Sequence, residues 1–235
     1  MELFKELINK KVLVFTGAGI SVASGVAPFR GKDGLYEGLN PYDLATAEAF
    51  FRQPVTVWNW YLMRIHNAKN ARPNSAHFAL AEMETRAQRF SLVTSNVDEL
   101  HEQAGSRRVF HLHGRIHQRR CVDCHSTEEV LPADLPESVD EESLFRCGCG
   151  GLQRPNVVWF GEYPWAEAIE VVQSELSHAD LVLEVGSSGV VSYGFAETAA
   201  NLGIPVLRIN PDPEQAPGIT CWSAPAETAL PQLIS

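Results

Sequence analysis

The fold is decided by residues 11–21, which read Lys-Val-Leu-Val-Phe-Thr-Gly-Ala-Gly-Ile-Ser. The apolar and β-branched run from Lys11 to Thr16 predicts a buried parallel strand that leads into a glycine-rich loop. Glycines let the backbone approach a pyrophosphate, and a helix that follows offers free N–H groups to the anion. A simple tight turn would explain the same glycines, so both interpretations stay open at this point.

Apolar runs of the same kind recur along the chain and alternate with helical patterns. We predict further strands at residues 90–94, 109–112, 157–160, 181–185 and 205–209, and helices at 75–86, 165–177 and 193–202. Strands that alternate with helices indicate an α/β fold with a doubly wound parallel sheet.

Two stretches interrupt this alternation and are interpreted as insertions. Residues 31–74 are rich in aromatic side chains and are predicted to be helical after Pro41. Residues 119–154 carry four cysteines around an acidic, proline-punctuated middle. The predicted domains are therefore a discontinuous sheet domain (1–30, 75–118 and 155–235), a helical insertion (31–74) and a cysteine module (119–154).

Length, composition and charge narrow the functional classes. A chain of 235 residues is long enough for one α/β core with a small appended module. The formal charge of −10 argues against binding nucleic acid or an anionic membrane surface as a main function. No apolar run approaches the ~20 residues of a membrane helix, and the amino terminus lacks signal-peptide character. We therefore expect a cytoplasmic protein with neither nucleic-acid nor membrane partners.

The cysteine spacing predicts a metal site. Cys121 and Cys124 form one pair and Cys147 and Cys149 a second, which offers four thiolates to a tetrahedral Zn²⁺. Four protein ligands leave no open coordination position, so this zinc is expected to be structural. Free buried cysteines are the alternative, and Cys221, which stands alone, is assigned to the core.

Small and polar residues follow several predicted strands. Asn96 and Asp98 come after residues 90–94, Gly186 and Ser187 after 181–185, and Asn210 after 205–209. The carboxyl ends of parallel strands border the ligand crevice of such sheets. Asn96 and Asp98 would serve equally well as helix caps. The convergence of several such edges favours a ligand site.

His113 lies in the run Phe-His-Leu-His-Gly at residues 110–114, between the glycine loop and the cysteines. A lone histidine near a strand end is more often a satisfied structural side chain. Between a phosphate loop and a metal module, it becomes a candidate general base in an enzyme that uses a dinucleotide. Hydride transfer is the weaker interpretation, because Val22 replaces the third small residue of the dehydrogenase fingerprint and no ribose-binding acid follows.

Motifs in a fixed order give the chain a resemblance to a known family. They are GAGIS (17–21), SGVAPFRG (24–31), TSNVDELH (94–101), HLHG (111–114), the paired cysteines, RPNVVWFGE (154–162), GSSGVV (186–191) and RIN (208–210). This series resembles the sirtuins, NAD-dependent protein deacylases, over nearly the whole chain. The resemblance implies a Rossmann-like sheet domain with a small inserted zinc-ribbon and helical domain, and a cleft between them where NAD and acyl-lysine meet.

The resemblance also implies roles for individual residues. His113 would take a proton from a ribose hydroxyl, and NAD would be consumed with release of nicotinamide, acyl-ADP-ribose and free lysine. Residues implied to contact NAD are Gly17, Ala18, Gly19, Ile20, Phe29, Arg30, Ser95, Asn96, Asp98, Gly186, Ser187, Ser188, Asn210 and Ala226. Two segments would pair with the substrate peptide as strands: Val158, Trp159, Phe160, Gly161 and Glu162, and Gly189, Val190 and Val191.

Tyr61 and Arg64 resemble the pair that marks desuccinylases and demalonylases within the sirtuins. At positions i and i+3 of a helix the two side chains share a face. Arginine can bind a carboxylate through two hydrogen bonds, and the tyrosine hydroxyl can add a third. Without the family context, a structural aromatic–arginine pair explains the same spacing.

Three positions depart from the family pattern: Pro28, Ser95 in place of glutamine, and Glu99 in place of glycine. Serine is too short to reach the ribose as the amide would, which predicts reduced rate or altered specificity. Ser95 and Glu99 keep open an ADP-ribosyltransferase or NAD glycohydrolase on the same fold. A second alternative is a non-catalytic NAD-sensing or zinc-mediated interaction module, which the intact set of Asn96, Asp98 and His113 argues against.

Overall fold

A six-stranded parallel sheet forms the centre of the computed structural model, which describes residues 9–28, 34–35, 38–187 and 193–234. The strands are β1 (Lys11–Thr16), β2 (Arg89–Thr94), β3 (Val109–His111), β4 (Gly114–Cys121), β5 (Thr127–Glu129), β6 (Gln153–Val157), β7 (Leu181–Val185), β8 (Val206–Asn210) and β9 (Ile219–Ser223). The large sheet has the order β3-β2-β1-β7-β8-β9, with every pairing parallel. The strand order reverses between β1 and β7, which places a ligand crevice at their carboxyl ends.

Helices cover both faces of this sheet. They are α1 (Ala47–Arg52), α2 (Pro54–Ala68), α3 (Ser75–Arg86), α4 (Leu100–Gln103), α5 (Ala166–Leu176), α6 (Phe195–Asn201) and α7 (Ala226–Ile234), with 3₁₀ turns at Ala18–Ser24, Pro41–Asp43 and Pro132–Asp134. The side chains of β1 alternate between two cores. Val12 and Val14 pack with α3 and α7, while Leu13 and Phe15 pack with α5 and α6. This is the doubly wound α/β fold that the sequence predicts.

The cysteine region forms a second, smaller sheet. β5, β4 and β6 pair in that order and antiparallel. Its apolar side joins the aromatic face of α2 in a third core, which includes Trp58, Ile116 and Trp159. The strands of this sheet begin before and end after the predicted 119–154 module.

The strand predicted at residues 157–160 is wrong in position and in sheet. Val157 is the last residue of β6, and β6 belongs to the small antiparallel sheet. The prediction followed apolar character, but β6 itself reads Gln-Arg-Pro-Asn-Val with buried polar side chains that are hydrogen-bonded. β9 and α7 were not predicted at all. The other predicted strands and helices are confirmed to within two residues at each end.

Among the helices of the described ranges, none combines the length and the apolar character that crossing a membrane requires.

The last helix supplies a test of how much the core depends on it. Leu230 in α7 is fully buried, whereas Leu202, just beyond α6, is 60% exposed. Leu230→Ala should lower the free energy of unfolding by about 2–5 kcal/mol, because it leaves a cavity between α7 and α3. The matched change Leu202→Ala should lower it by less than about 0.5 kcal/mol. Chemical denaturation measures both, and equal effects would show that α7 is not part of the cooperative core.

Candidate functional site

The loops after β1 and β7 touch backbone to backbone. The Gly17 N–H donates to the Val185 carbonyl (3.0 Å) and the Gly19 N–H to the Gly186 carbonyl (2.9 Å). A Cβ at Gly17 or Gly19 would lie 2.8 Å from the backbone of Gly186, and a Cβ at Gly186 would lie 2.4 Å from the Ile20 nitrogen. The glycines are therefore required by this contact alone. This contact accounts for the tight-turn interpretation, and the approach of a phosphate to the same glycines stays a prediction.

Ser21 joins the glycine loop to the loop after β2. Its hydroxyl donates to Asp98 Oδ2 (3.0 Å) and accepts from the Asn96 amide (3.2 Å). Asp98 also accepts from the N–H of Leu100, the first residue of α4 (3.2 Å), although the N-cap position of this helix is Glu99. Burial raises the pKa of Asp98, although its bonds to Leu100 and Ser21 oppose that shift. Three polar side chains thus meet at the carboxyl edge of the sheet.

The neighbouring loops complete this edge. The Asn210 amide donates to the Ser187 carbonyl (2.7 Å), which ties the loop after β8 to the loop after β7. Ile20 has no exposed surface and Ala226 is 4% exposed, so both side chains belong to the core rather than to an open crevice. Six predicted site residues lie outside the described residues: Phe29, Arg30, Ser188, Gly189, Val190 and Val191.

Two histidines form hydrogen bonds with consecutive backbone carbonyl groups of the loop after β2. His113 Nδ1 lies 2.9 Å from the Ser95 carbonyl, and His111 Nδ1 lies 3.0 Å from the Asn96 carbonyl. Both side chains therefore hydrogen-bond to the same loop, although β3 ends at His111 and the chain bends at Leu112 and His113. His111 Nε2 also meets Glu102 Oε1 at 2.8 Å. His111 was not predicted as a site residue, although the His-Leu-His pattern contained the signal.

The bonds of His113 determine its protonation. A carbonyl can only accept, so Nδ1 carries the proton and the neutral ring keeps its lone pair at Nε2. Burial lowers the pKa of His113 more than the bond to Ser95 raises it. The ring is therefore neutral at neutral pH, with a proton on Nδ1 alone, and it remains neutral to lower pH than an exposed histidine does. Nε2 accepts a hydrogen bond from the Tyr193 hydroxyl at 2.8 Å, a partner that the sequence analysis missed.

A buried polar network lies beneath these loops. The Thr16 hydroxyl donates to the Thr94 hydroxyl (2.8 Å) and lies 2.9 Å from His101 Nε2. The His101 ring packs against the His77 ring, with centroids 4.9 Å apart. Burial lowers the pKa of His77 to about 4 and the pKa of His101 well below its usual value. Both rings are neutral and act as packed core groups rather than as acids or bases.

The departures from the family pattern occupy distinct environments. Ser95 donates to the Thr16 carbonyl (3.2 Å) and lines a small recess with Phe15, Leu112, Ser187 and Phe195. Glu99 points away from this recess to His117 (3.2 Å) and Arg115 (3.7 Å). The hydrogen bond from His117 lowers the pKa of Glu99. The Pro28 carbonyl accepts from the Leu35 N–H (2.9 Å).

Tyr61 and Arg64 of α2 pack as the helical spacing predicts. The Arg64 guanidinium carbon lies 5.0 Å from the centre of the Tyr61 ring and 4.5 Å from that of Trp60. Its Nε is buried without a hydrogen-bond partner among the described residues. The Tyr61 hydroxyl accepts from Trp159 Nε1 at 2.9 Å. This bond connects the Tyr61–Arg64 pair to the segment predicted to bind the substrate peptide.

That segment, residues 158–162, is braced by an ion pair. Arg154 Nη2 donates to Glu162 Oε2 (3.0 Å), and the Arg154 guanidinium carbon lies 3.4 Å from the Trp159 ring centre. Glu162 also accepts from the Trp159 N–H (2.9 Å). The N–H groups of Val158 and Phe160 donate to His113 and Ala45. These contacts hold the segment as a wall that is hydrogen-bonded to the backbone of the candidate base.

The four cysteines predicted to bind metal converge. The Sγ atoms of Cys121, Cys124, Cys147 and Cys149 all lie within 4.8 Å of one another. The pairs Cys121–Cys149 and Cys124–Cys147 are 3.5 and 3.6 Å apart, close to the ~3.8 Å edge of a tetrahedral ZnS₄ unit. A Cβ at Gly151 would lie 2.7 Å from Cys121 Sγ, so only glycine fits beside the cluster. These residues fit a Zn²⁺ ion.

Comparison with known proteins places the chain among relatives that share its motifs. The family model described as the Sir2 family matches residues 17–193. An NAD-dependent protein deacylase from Archaeoglobus fulgidus is 42% identical over 221 residues, which cover 90% of this chain and 86% of the relative.

Solved structures show the same likeness in three dimensions. A mutant Sir2 homologue in complex with ADP-ribose superposes with a TM-score of 0.88 at 37% identity, covering 99% of this chain and 94% of the other. A Sir2 protein bound to a myristoylated histone peptide superposes with a TM-score of 0.74 at 30% identity, covering 99% and 92%. The sirtuin resemblance predicted from the ordered motifs is confirmed, and the chain belongs to the Sir2 family.

Proposed function

We propose that the chain deacylates protein lysine side chains and accepts succinyl and malonyl groups in addition to acetyl. NAD-dependent protein deacylation is the activity of the family to which the chain belongs. The products would be nicotinamide, O-acyl-ADP-ribose and free lysine. One observation carries the proposal: a neutral His113 directs an Nε2 lone pair to the carboxyl edge of the sheet.

His113 is suited to remove a proton at that edge. When bound, NAD supplies an electrophilic ribose carbon and a ribose hydroxyl whose proton the base removes. His113 Nε2 would accept this proton, and the Nδ1–H bond to the Ser95 carbonyl would stabilise the positive ring that results. The lowered pKa keeps the base in its acceptor form at neutral pH.

The polar groups around the glycine loops would hold the cofactor. Ser21, Asn96 and Asp98 form one hydrogen-bonded set beside His113, and the Asn210–Ser187 bond closes the opposite side. The ADP-ribose bound by the similar Sir2 homologue supports this assignment. The glycines have a structural role in the loop contact and would also let a pyrophosphate approach the backbone.

Arg64 would determine the acyl preference. A succinyl or malonyl carboxylate entering an apolar site needs a cation, because an unpaired buried charge is costly. The Arg64 guanidinium lies against two aromatic rings and retains a buried Nε without a described partner. The Tyr61 hydroxyl accepts from Trp159, so its own hydrogen can still be donated to a carboxylate.

The substrate peptide would lie along residues 158–162. Since Val158, Trp159 and Phe160 already use their N–H groups internally, a peptide strand would bind through other backbone groups of this wall. The myristoylated histone peptide bound by a similar Sir2 protein supports an acylated peptide as the substrate. The Tyr61–Trp159 bond would then couple the acyl site to the peptide site.

The alternative ADP-ribosyltransferase or glycohydrolase activity gains no support from Glu99. Its carboxylate is paired with His117 and Arg115 and does not face Ser95 or His113. A non-catalytic NAD-sensing role is also disfavoured. The bond to the Ser95 carbonyl places the proton of His113 on Nδ1 and leaves Nε2 as a proton acceptor, which sensing alone would not require.

The zinc ion would be structural. Four cysteine ligands leave no open position for substrate or water. The ligand Cys121 ends β4, and the first residue of β4, Gly114, directly follows His113. Zinc would therefore stabilise the strand that carries the base at its start, without taking part in the reaction.

Replacing the base should separate binding from chemistry. His113→Ala should retain NAD binding, because the base acts after the cofactor is seated, yet lower deacylation by about 10²-fold or more. Calorimetry measures NAD binding, and the release of lysine and of nicotinamide from acetyl and succinyl peptides measures the reaction. Near-full turnover in this variant would place the proton transfer on another group.

Acyl preference should depend on Arg64. Arg64→Met should cost desuccinylation about 2–5 kcal/mol of transition-state stabilisation, since it strands the substrate carboxylate, and should leave deacetylation nearly unchanged. Arg107→Met, at an exposed arginine before the amino end of β3, is the matched control. A parallel loss of both activities, or a wild-type enzyme that never removes succinyl groups, would reduce Tyr61 and Arg64 to a structural pair.

Metal content should follow the four cysteines and not the fifth. Cys124→Ser should lower zinc well below the expected content of about one ion per chain and unfold the small sheet. Cys221→Ser should keep the metal, because Cys221 Sγ contacts the Glu214 carbonyl, away from the cluster. Elemental analysis with circular dichroism reports both effects. A zinc-free protein with intact activity would end the structural-zinc assignment.

A further inference from the structure

The lone pair that the proposed mechanism needs is already occupied. A neutral imidazole has a single acceptor nitrogen, and in His113 that nitrogen is Nε2. The Tyr193 hydroxyl lies 2.8 Å from it and donates to it. A ribose hydroxyl can give its proton to His113 only after this donor has moved away.

Tyr193 is held at this position by a series of aromatic contacts. Its ring packs on Phe195 at a centroid distance of 5.7 Å, and Phe195 stacks on Phe15 of β1 at 5.1 Å. The His113 and Tyr193 rings are 5.9 Å apart and tilted by 57°. The tyrosine is therefore anchored to the sheet through its ring and to the base through its hydroxyl.

The backbone of Tyr193 is strained. Its φ is +52°, a left-handed conformation that bulky side chains rarely adopt, and Gly194 follows with φ +68°. Such a conformation persists only where surrounding contacts impose it. Burial raises the pKa of Tyr193, so the phenol remains a protonated donor at neutral pH. The hydrogen bond to His113 is one of the contacts that impose this conformation, so losing it removes part of what holds Tyr193 in place.

We propose that Tyr193 is a positioning residue for the NAD-dependent reaction: its hydroxyl holds His113 Nε2 in the cofactor-free enzyme and yields that nitrogen to the ribose hydroxyl. The proposal rests on the proposed function, in which His113 is the base. It implies that part of the binding free energy of NAD is used to break the Tyr193–His113 hydrogen bond.

Tyr193→Phe tests this directly, because it keeps the ring packing on Phe195 and removes only the donor. The NAD dissociation constant, measured by calorimetry without peptide, should fall by about 2- to 10-fold, the equivalent of one neutral hydrogen bond. In cofactor-free enzyme, the ¹⁵N resonance of His113 Nε2 should shift toward that of a nitrogen without a donor. Tyr163→Phe, at a 90% exposed tyrosine, should change neither quantity.

A double-mutant cycle shows whether the effect passes through the base. In a His113→Ala background, Tyr193→Phe should leave the NAD dissociation constant unchanged. Unchanged or weaker NAD binding in the single variant, or an equal gain without His113, would overturn the proposal. Failure of the base assignment is distinct, because it would appear as near-full deacylation by His113→Ala alone.

Discussion

The close backbone contact between the loops after β1 and β7 is the constraint on which the site depends. These strands are neighbours at the point where the strand order reverses, and Gly17 and Gly19 press against Gly186 with no room for a Cβ atom. The polar side chains of the site extend from these two loops or hydrogen-bond to them. Ser21 extends from one loop toward Asn96 and Asp98, and Asn210 is tied to the other loop at Ser187.

The base and the metal module are joined by one strand. His113 precedes β4, which ends in Cys121 of the four-cysteine cluster, and Gly114 turns the chain with φ +80°. A Cβ at Gly114 would lie 2.2 Å from the Asn156 carbonyl, so the turn is packed against β6. The wall formed by residues 158–162 continues from β6 and bonds back to His113 through Val158. The proposed base, the proposed peptide wall and the cysteine cluster therefore form one connected unit.

The sequence predicted those strands and sites whose signal lies in a short run of neighbouring residues. Continuous apolar runs located β1, β2, β7 and β8, and the cysteine spacing located the metal cluster. β4 and β6 were not predicted, because they are rich in polar side chains such as arginine, glutamine and asparagine. The hydrogen bonds of these side chains come from tertiary partners, such as Glu162 for Arg154. The Tyr193–His113 contact joins residues 80 positions apart, and no periodicity in the sequence reports such a pairing.

The central position of β1 has a consequence for synthesis of the chain. One edge of β1 pairs with residues 89–94, but its other edge pairs with 181–185. On the ribosome, the apolar strand β1 therefore keeps one edge unpaired until β7 has been made. Open strand edges recruit other chains, and pairings distant in sequence form slowly. We expect nascent chains to aggregate most readily in that interval, before the two halves of the parallel sheet have joined.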